Sequence, residues 1–278
     1  MTDAHNGNCT IYYETFGNPD DPALLLVNGL GSQCINYPEA WCEMFAAAGL
    51  FVIRFDNRDM GLSTHFTDAP VGAGGECYTL SDMAADGIAV LDDLGIIAAH
   101  VMGLSMGGMI AQTMAIEHPA CVLTLTSVMS SSGEPEFGPP TPRALALLTG
   151  PQATDEASYI QGWIDGLEEW GSPEFFDRDR WTADAKRAYA RCFDPAGTTR
   201  QFMGVRASGD RVDGLRALDV ATLVIHGDQD HLIGPDAGRR VAELVPGARF
   251  ELIEGMGHDY PPQLWERWVG LVTTHALA

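Results

Sequence analysis

Basic residues are scarce in this 278-residue chain: 16 lysines and arginines stand against 38 aspartates and glutamates, a formal net charge of −22. Gripping nucleic acid requires a basic footprint that neutralises phosphates, so that class of partner is excluded. An anionic membrane surface is disfavoured on the same ground. Long apolar runs are missing as well, and no stretch approaches the roughly 18 residues of a membrane span. The first residues, MTDAHNGN, lack a basic segment followed by an apolar one, so no secretory signal is expected. The six cysteines (Cys9, Cys34, Cys42, Cys77, Cys121, Cys192) form no CxxC pair and no regular spacing. Reduced thiols in a cytoplasmic protein follow more simply than a disulfide framework. Internal repeats and low-complexity tracts are absent too.

What is present is an alternation of short apolar runs with helical patterns. TIYYETFG (10–17), ALLLVNG (23–29), FVIRFD (51–56), AAHVMGLS (98–105), VLTLTSVMS (122–130), ATLVIHG (221–227) and ARFELIEG (248–255) read as strands. Continuous apolar runs suit parallel strands covered on both faces. Helices are expected over 37–48, 79–94, 106–117, 235–245 and 261–275. In the second, Leu80, Met83, Ala84, Gly87, Ile88, Leu91 and Leu94 share one stripe. The expectation is an α/β fold with a doubly wound, mostly parallel sheet.

Residues 131–219 interrupt this pattern. The entry SSGEPEFGPPTPR is crowded with proline, a linker signal, and helical patterns follow near 143–149, 155–169, 183–192 and 197–208 without a strand. Between 134 and 217 lie ten of the 16 bases but only fourteen of the 38 acids, so this stretch is far less acidic than the rest. The division expected is a core of 1–130 and 220–278 with a helical cap over 131–219. Trp163, Trp170 and Trp181, with Tyr159, Phe175 and Phe176, either roof a pocket for a bulky apolar group or pack the cap helices together.

The chemistry centres on Gly103-Leu104-Ser105-Met106-Gly107-Gly108. A strand that turns sharply into a helix strains the residue at the bend, and bulky neighbours two positions away collide with it. Gly103 and Gly107 remove those side chains, leaving the Ser105 hydroxyl raised at the carboxyl end of the sheet. The helix that starts at Met106 offers free N–H groups and its positive dipole end to a developing oxyanion. Serine needs a base, and the chain holds eight histidines. His258, in the turn-rich GMGHDYP after the last strand, emerges at the same sheet edge as Ser105. For the carboxylate that orients it, Asp228, Asp230 and Glu134 all follow strand ends. Oxyanion donors are expected from the backbone N–H of Met106 and, after LLLVNG, of Leu30. Asp56, Arg58 and Asp59 in RFDNRDMGLST read as a charge-paired brace behind that loop. Arg143, Arg178, Arg180, Arg191 and Arg200 could meet an anionic substrate, but read more simply as solvated faces of the cap beside neighbouring acids. His226, Asp228, Asp230 and His231 cluster in sequence without further ligands at helical spacing, so no metal is expected. GAGGE (72–76) does not join a strand to a helix and is no phosphate cradle.

Taken in order, VNGLG, RFDNRDMGLS, GLSMGG, HGDQDHLIGP and GMGH make the chain resemble the α/β-hydrolase family over nearly its whole length. GLSMGG, NRDMGLS and GMGHDYP are most similar to the branch of small esterases that includes aclacinomycin methylesterase. The resemblance implies Asp230, three residues after Gly227, as the triad acid. It also implies that 131–219 is the family's cap. One departure is Asn28-Gly29 where the family commonly has His-Gly; asparagine can still hydrogen-bond the loop, so the hole is expected to survive. The function implied is a serine hydrolase that cleaves a small-molecule carboxylic ester through an acyl-enzyme, with no cofactor. The same residues would serve a lactonase, a perhydrolase of the non-haem haloperoxidase type or a C–C hydrolase, and the fold also carries non-catalytic ligand receptors. Monomer and homodimer stay equally open.

Overall fold

The seven apolar runs become seven of the eight strands of one sheet in the computed structural model, which describes residues 2–69 and 77–278. The glycine-rich stretch 72–76 lies outside the described residues. In chain order the strands are β1 (Asp3–Asn6), β2 (Cys9–Phe16), β3 (Ala23–Val27), β4 (Phe51–Phe55), β5 (Ala99–Leu104), β6 (Val122–Val128), β7 (Ala221–Gly227) and β8 (Arg249–Ile253). They lie in the order β1-β2-β4-β3-β5-β6-β7-β8, parallel from β4 to β8, with β1 and β2 an antiparallel hairpin at one edge. Every residue of β3, β4 and β5 is buried, as continuous hydrophobic strands should be.

Helices α1 (Glu39–Ala47), α2 (Leu80–Asp93) and α3 (Met106–Glu117) cross between the early strands. Then α4 (Pro142–Leu148), α5 (Glu156–Trp170), α6 (Arg178–Arg191), α7 (Pro195–Ala207) and α8 (Val212–Arg216) stand between β6 and β7, with no strand among the described residues there. The chain closes with α9 (Pro235–Leu244) and α10 (Trp265–Ala276). Strand residues alternate between two cores. Leu25, Val27 and Val101 pack with Met83, Ile110 and Met114 of α2 and α3. Leu24, Leu26 and Met102 face Trp41, Phe45 and Trp268 of α1 and α10. Each such large side chain contributes about 1.5–3 kcal/mol on burial.

Three details differ from the sequence reading. Strand β1, four residues without an apolar run, is not among the expected strands and pairs with β2. Helix α6 starts at Arg178 rather than near 183, because the Asp177 side chain accepts the Arg180 N–H and caps it. Helix α8 has only five residues, too few for a periodicity to register.

The topology fixes where chemistry can occur. From β3 the chain moves outward to β4, then β5 returns to the opposite side of β3. The loops leaving β3 and β5 therefore diverge and open a crevice at the carboxyl edge, the usual ligand position in such sheets. The inserted helices are tied to the core by buried ion pairs. Arg191 of α6 pairs with Asp56 (2.6 Å), and Arg200 of α7 pairs with Asp59 (2.7 Å). Arg58 instead meets Asp86 of α2 (2.6 Å). Asp56, Arg58 and Asp59 thus do not brace one another; each reaches a different element. Nor is Arg200 on a solvated face, being only 3% exposed.

Candidate active site

Ser105 occupies the turn between β5 and α3 with φ +56° and ψ −120°. That backbone region disfavours L side chains and costs on the order of 1–3 kcal/mol. The bend is held by the Ser105 N–H donating to the Val128 carbonyl (2.9 Å) and by the Ser130 hydroxyl donating to the Ser105 carbonyl (2.8 Å). Glycine is required at both flanks. A Cβ on Gly103 would stand 2.0 Å from the Gly107 carbonyl oxygen, and one on Gly107 would stand 2.1 Å from that of Val27. The second clash adds something to the sequence reading: Gly107 makes room for the end of β3 as well as for the bend. The Ser105 side chain is half-exposed, and its hydroxyl bonds to no protein group among the described residues.

The loop after β3 runs alongside. A Cβ on Gly29 would approach Ser105 Oγ to 3.9 Å. Among the described residues neither the Leu30 nor the Met106 N–H donates to a protein acceptor. Asn28, buried at 1% exposure, donates from Nδ2 to the Phe55 carbonyl (2.8 Å), and Asn57 donates to the Asn28 carbonyl (3.0 Å). Asn28 therefore anchors the loop to the end of β4 rather than bonding within the loop. At the far end the Gly31 N–H donates to Gln201 Oε1 of α7 (2.9 Å), whose Nε2 donates to the Arg58 carbonyl (2.9 Å).

The structure brings Asp230 and His258 together: Nδ1 of His258 lies 2.7 Å from Asp230 Oδ2. The other Asp230 oxygen accepts the N–H groups of Leu232 and Ile233, each at 2.9 Å. Burial alone would raise the Asp230 pKa, but the facing imidazoles of His258 and His226 outweigh it and pull it down to about 2. The competing carboxylates are engaged elsewhere. Asp228 accepts the Gly255 N–H (2.8 Å), and Glu134 pairs with Arg240 (2.9 Å). His231 turns to the Glu169 carbonyl (2.9 Å).

The loop that bears His258 is fastened to the inserted helices. Its own N–H donates to the Trp170 carbonyl (2.5 Å), and the Gly257 N–H donates to Ser172 Oγ (2.9 Å). Ser172 in turn donates from both N–H and hydroxyl to Asp259. No motif announced these partners. Ser130, Ser172, Gln201 and Asp259 are ordinary polar residues in the sequence, and only the fold reveals what each one touches.

Leu30, Ser105, Met106 and His258 border one cavity of about 930 Å³, which is also lined by Trp163, Trp170 and Trp181 of the inserted helices. Trp181 both lines this cavity and packs with Ile164 and Leu167 of α5. Phe175 and Phe176 are not among the lining residues. A separate cluster, Asp59, His65 and Asp194, has ligand-type atoms within 4.8 Å of one another. Arg200 donates to both carboxylates (2.7 and 3.0 Å), so a cation already occupies the position a metal ion would take.

Residues 24–272 match the model of the alpha/beta hydrolase family. The rhodomycin D methylesterase DnrP of Streptomyces peucetius is 31% identical, with 98% of this chain and 97% of that protein covered. DauP, the rhodomycin D methylesterase of a Streptomyces species, is also 31% identical, over 97% of this chain and 95% of its own. Among solved structures, the esterase EaEST of Exiguobacterium antarcticum superposes with a TM-score of 0.80 at 20% identity, covering 99% of both chains. The 2-hydroxy-6-oxo-6-phenylhexa-2,4-dienoate hydrolase of a Rhodococcus strain gives 0.80 at 18% identity, covering 100% of this chain and 98% of its own.

Proposed function

The chain belongs to the alpha/beta hydrolase family, and from that premise we propose that it is a serine hydrolase of carboxylic esters with Ser105, His258 and Asp230 as its catalytic triad. The observation that carries the reading is convergence on one cavity: a strained serine, a histidine already paired with a buried aspartate, and two free backbone amides. His258 takes the Ser105 proton onto its second ring nitrogen as the hydroxyl attacks the ester carbonyl. Asp230 holds the tautomer and stabilises the imidazolium. The N–H groups of Leu30 and Met106 bind the oxyanion, aided by the N-terminus of α3. The alcohol leaves with the proton from His258, and water then releases the acid by the same steps in reverse. Contacts between nucleophile and base commonly tighten only when substrate is bound.

The helices between β6 and β7 act as a cap that selects the substrate. Both methylesterase relatives carry a small alcohol in their printed activity, and the cavity is large and mostly apolar. These support a methyl or other short alkyl ester of a bulky acid, with the acid lying against Trp163, Trp170 and Trp181. Six unpaired thiols support a reducing, cytoplasmic setting. No helix of the described residues is long and apolar enough to cross a membrane.

The test is a fluorophosphonate probe with a parallel ester assay. Labelling at Ser105, lost together with turnover in a folded Ser105→Ala variant, is the expected result. Turnover that persists at the wild-type rate in that variant overturns the assignment. A panel varied in acyl and alcohol size separates ester from lactone or C–C cleavage.

A further inference from the structure

Cys192 ends α6 and stands half-exposed on the wall of the same cavity as Ser105, with its Sγ 3.6 Å from His65 Nε2. The other ring nitrogen of His65 lies 2.7 Å from Asp194 Oδ2. Nothing in the ester mechanism uses these three residues.

The geometry favours a protonated imidazole. Nδ1 faces a carboxylate and carries a hydrogen. Nε2 stands between the Gly61 carbonyl at 3.2 Å and Cys192 Sγ at 3.6 Å, and a hydrogen on it serves the carbonyl and makes the ring a cation. Consistently, the contact with Cys192, together with Asp194 and the Gly61 carbonyl, outweighs burial and lifts the His65 pKa from its ordinary value to about 9. Of the remaining charges, Arg200 pairs with both Asp59 and Asp194, and Asp194 is shared between Arg200 and His65. A fixed cation beside a thiol stabilises the thiolate, the nucleophilic form.

We propose that Cys192, His65 and Asp194 form a second reactive site, an activated thiol that captures soft carbon electrophiles, such as α,β-unsaturated carbonyl compounds, on entry into the substrate cavity. In the addition Sγ bonds to the β-carbon and the π pair moves onto the carbonyl oxygen. The resulting enolate takes a proton from His65 Nε2, which recovers it from solvent. No group leaves and no oxidant is needed. The other cysteines lack this setting. Cys9, Cys34 and Cys42 are buried, and burial pushes the pKa values of Cys9 and Cys42 up to about 12. Cys77 and Cys121 are half-exposed but have no hydrogen-bonded histidine among the described residues.

Acrylamide, followed by mass spectrometry of the peptides, reads each site separately in the intact protein. Cys192 is expected to react about tenfold or more faster than Cys77 and Cys121, because a histidine held by a carboxylate stands beside its Sγ and none is hydrogen-bonded to the other two. A folded His65→Gln variant, which retains a donor toward Asp194 but no cation, is expected to lose that advantage. Equal rates at the three cysteines of the wild-type protein overturn the proposal without reliance on any variant. Unchanged Cys192 reactivity in His65→Gln overturns it as well. The Ser105→Ala variant is expected to react at Cys192 at the wild-type rate, so the thiol site and the esterase reading stand or fall separately.

Discussion

His226 reaches the same carboxylate oxygen as His258: its Nε2 lies 3.3 Å from Asp230 Oδ2, against 2.7 Å for His258 Nδ1. The same His226 nitrogen is 2.8 Å from the Ile233 carbonyl, so it faces two oxygens and carries the hydrogen. Asp230 thus receives three hydrogen bonds, from two backbone amides and from His258, and the His226 ring lies beside them. An asparagine at this position would turn an NH₂ group toward some of those donors. Asp230→Asn is expected to fold and to lose about 10⁴-fold in kcat, as wrong-tautomer variants of such triads do. Ester kinetics with a parallel thermal melt checks both halves. A loss below about tenfold would mean that His258 is oriented by something else.

The elbow glycines make a structural prediction. An alanine at position 107 would place its Cβ 2.1 Å from the backbone oxygen of Val27, a group that cannot swing aside. Either β3 or the start of α3 must shift. Gly107→Ala is expected to lower stability by about 1–3 kcal/mol and to reduce esterase activity far more than Gly162→Ala, where an added Cβ meets nothing within 4 Å. Urea unfolding of both variants, with kcat for each, decides it.

The elements that were legible in the sequence share a physical property: their signal is local. GLSMGG sits between an apolar strand and a patterned helix, and those two flanks are β5 and α3. HGDQDHLIGP and GMGHDYP follow β7 and β8, so their carboxyl-edge position was readable from strand direction alone. What escaped was pairwise and distant. Arg58, Asp56 and Asp59 looked self-sufficient as neighbours, yet each is satisfied by a residue at least 28 positions away. Arg200 looked like a surface charge because helix α7 has little amphipathic pattern, and its burial depends on Asp59 arriving from another element. Gln201 carries no sequence signal at all. Its importance comes from the loop it happens to meet.

That loop gives a test of the inserted helices' influence on chemistry. Gln201 is fully buried and joins Gly31, one residue past the Leu30 amide, to the Arg58 carbonyl. Gln201→Leu keeps the volume roughly constant but removes both bonds, leaving the buried Arg58 carbonyl and the half-buried Gly31 N–H unpaired. The oxyanion loop then loses its tether to α7, while Asn28 still holds its other end. A displacement of about 1 Å at a catalytic donor costs up to about 100-fold, so kcat is expected to fall between about 10- and 100-fold with little change in KM. A rise in KM with kcat unchanged would place Gln201 in substrate binding rather than in support of the hole.

The cluster around His65 makes the joint between core and inserted helices sensitive to alkali. His65 comes from the loop after β4, whereas Asp194 and Arg200 belong to α7 and its cap, and Asp59 faces them from the core. Contact with Cys192, then with Asp194 and Gly61, holds the folded pKa of His65 at about 9, above its ordinary value. A group whose pKa is raised on folding binds its proton more tightly in the folded state. Its stabilisation is complete below about 6.5, and it is lost as pH rises through about 9. Tm of the wild-type protein is therefore expected to fall between pH 7 and 9.5, and the slope to flatten in His65→Gln, which has no proton to lose. The other cysteines do not mimic this, since burial pushes the pKa values of Cys9 and Cys42 to about 12. Calorimetric scans of the two proteins at half-unit pH steps provide the measurement. Parallel curves across that range would show that His65 is not charged in the folded protein, and the cation inferred beside Cys192 would fall with it.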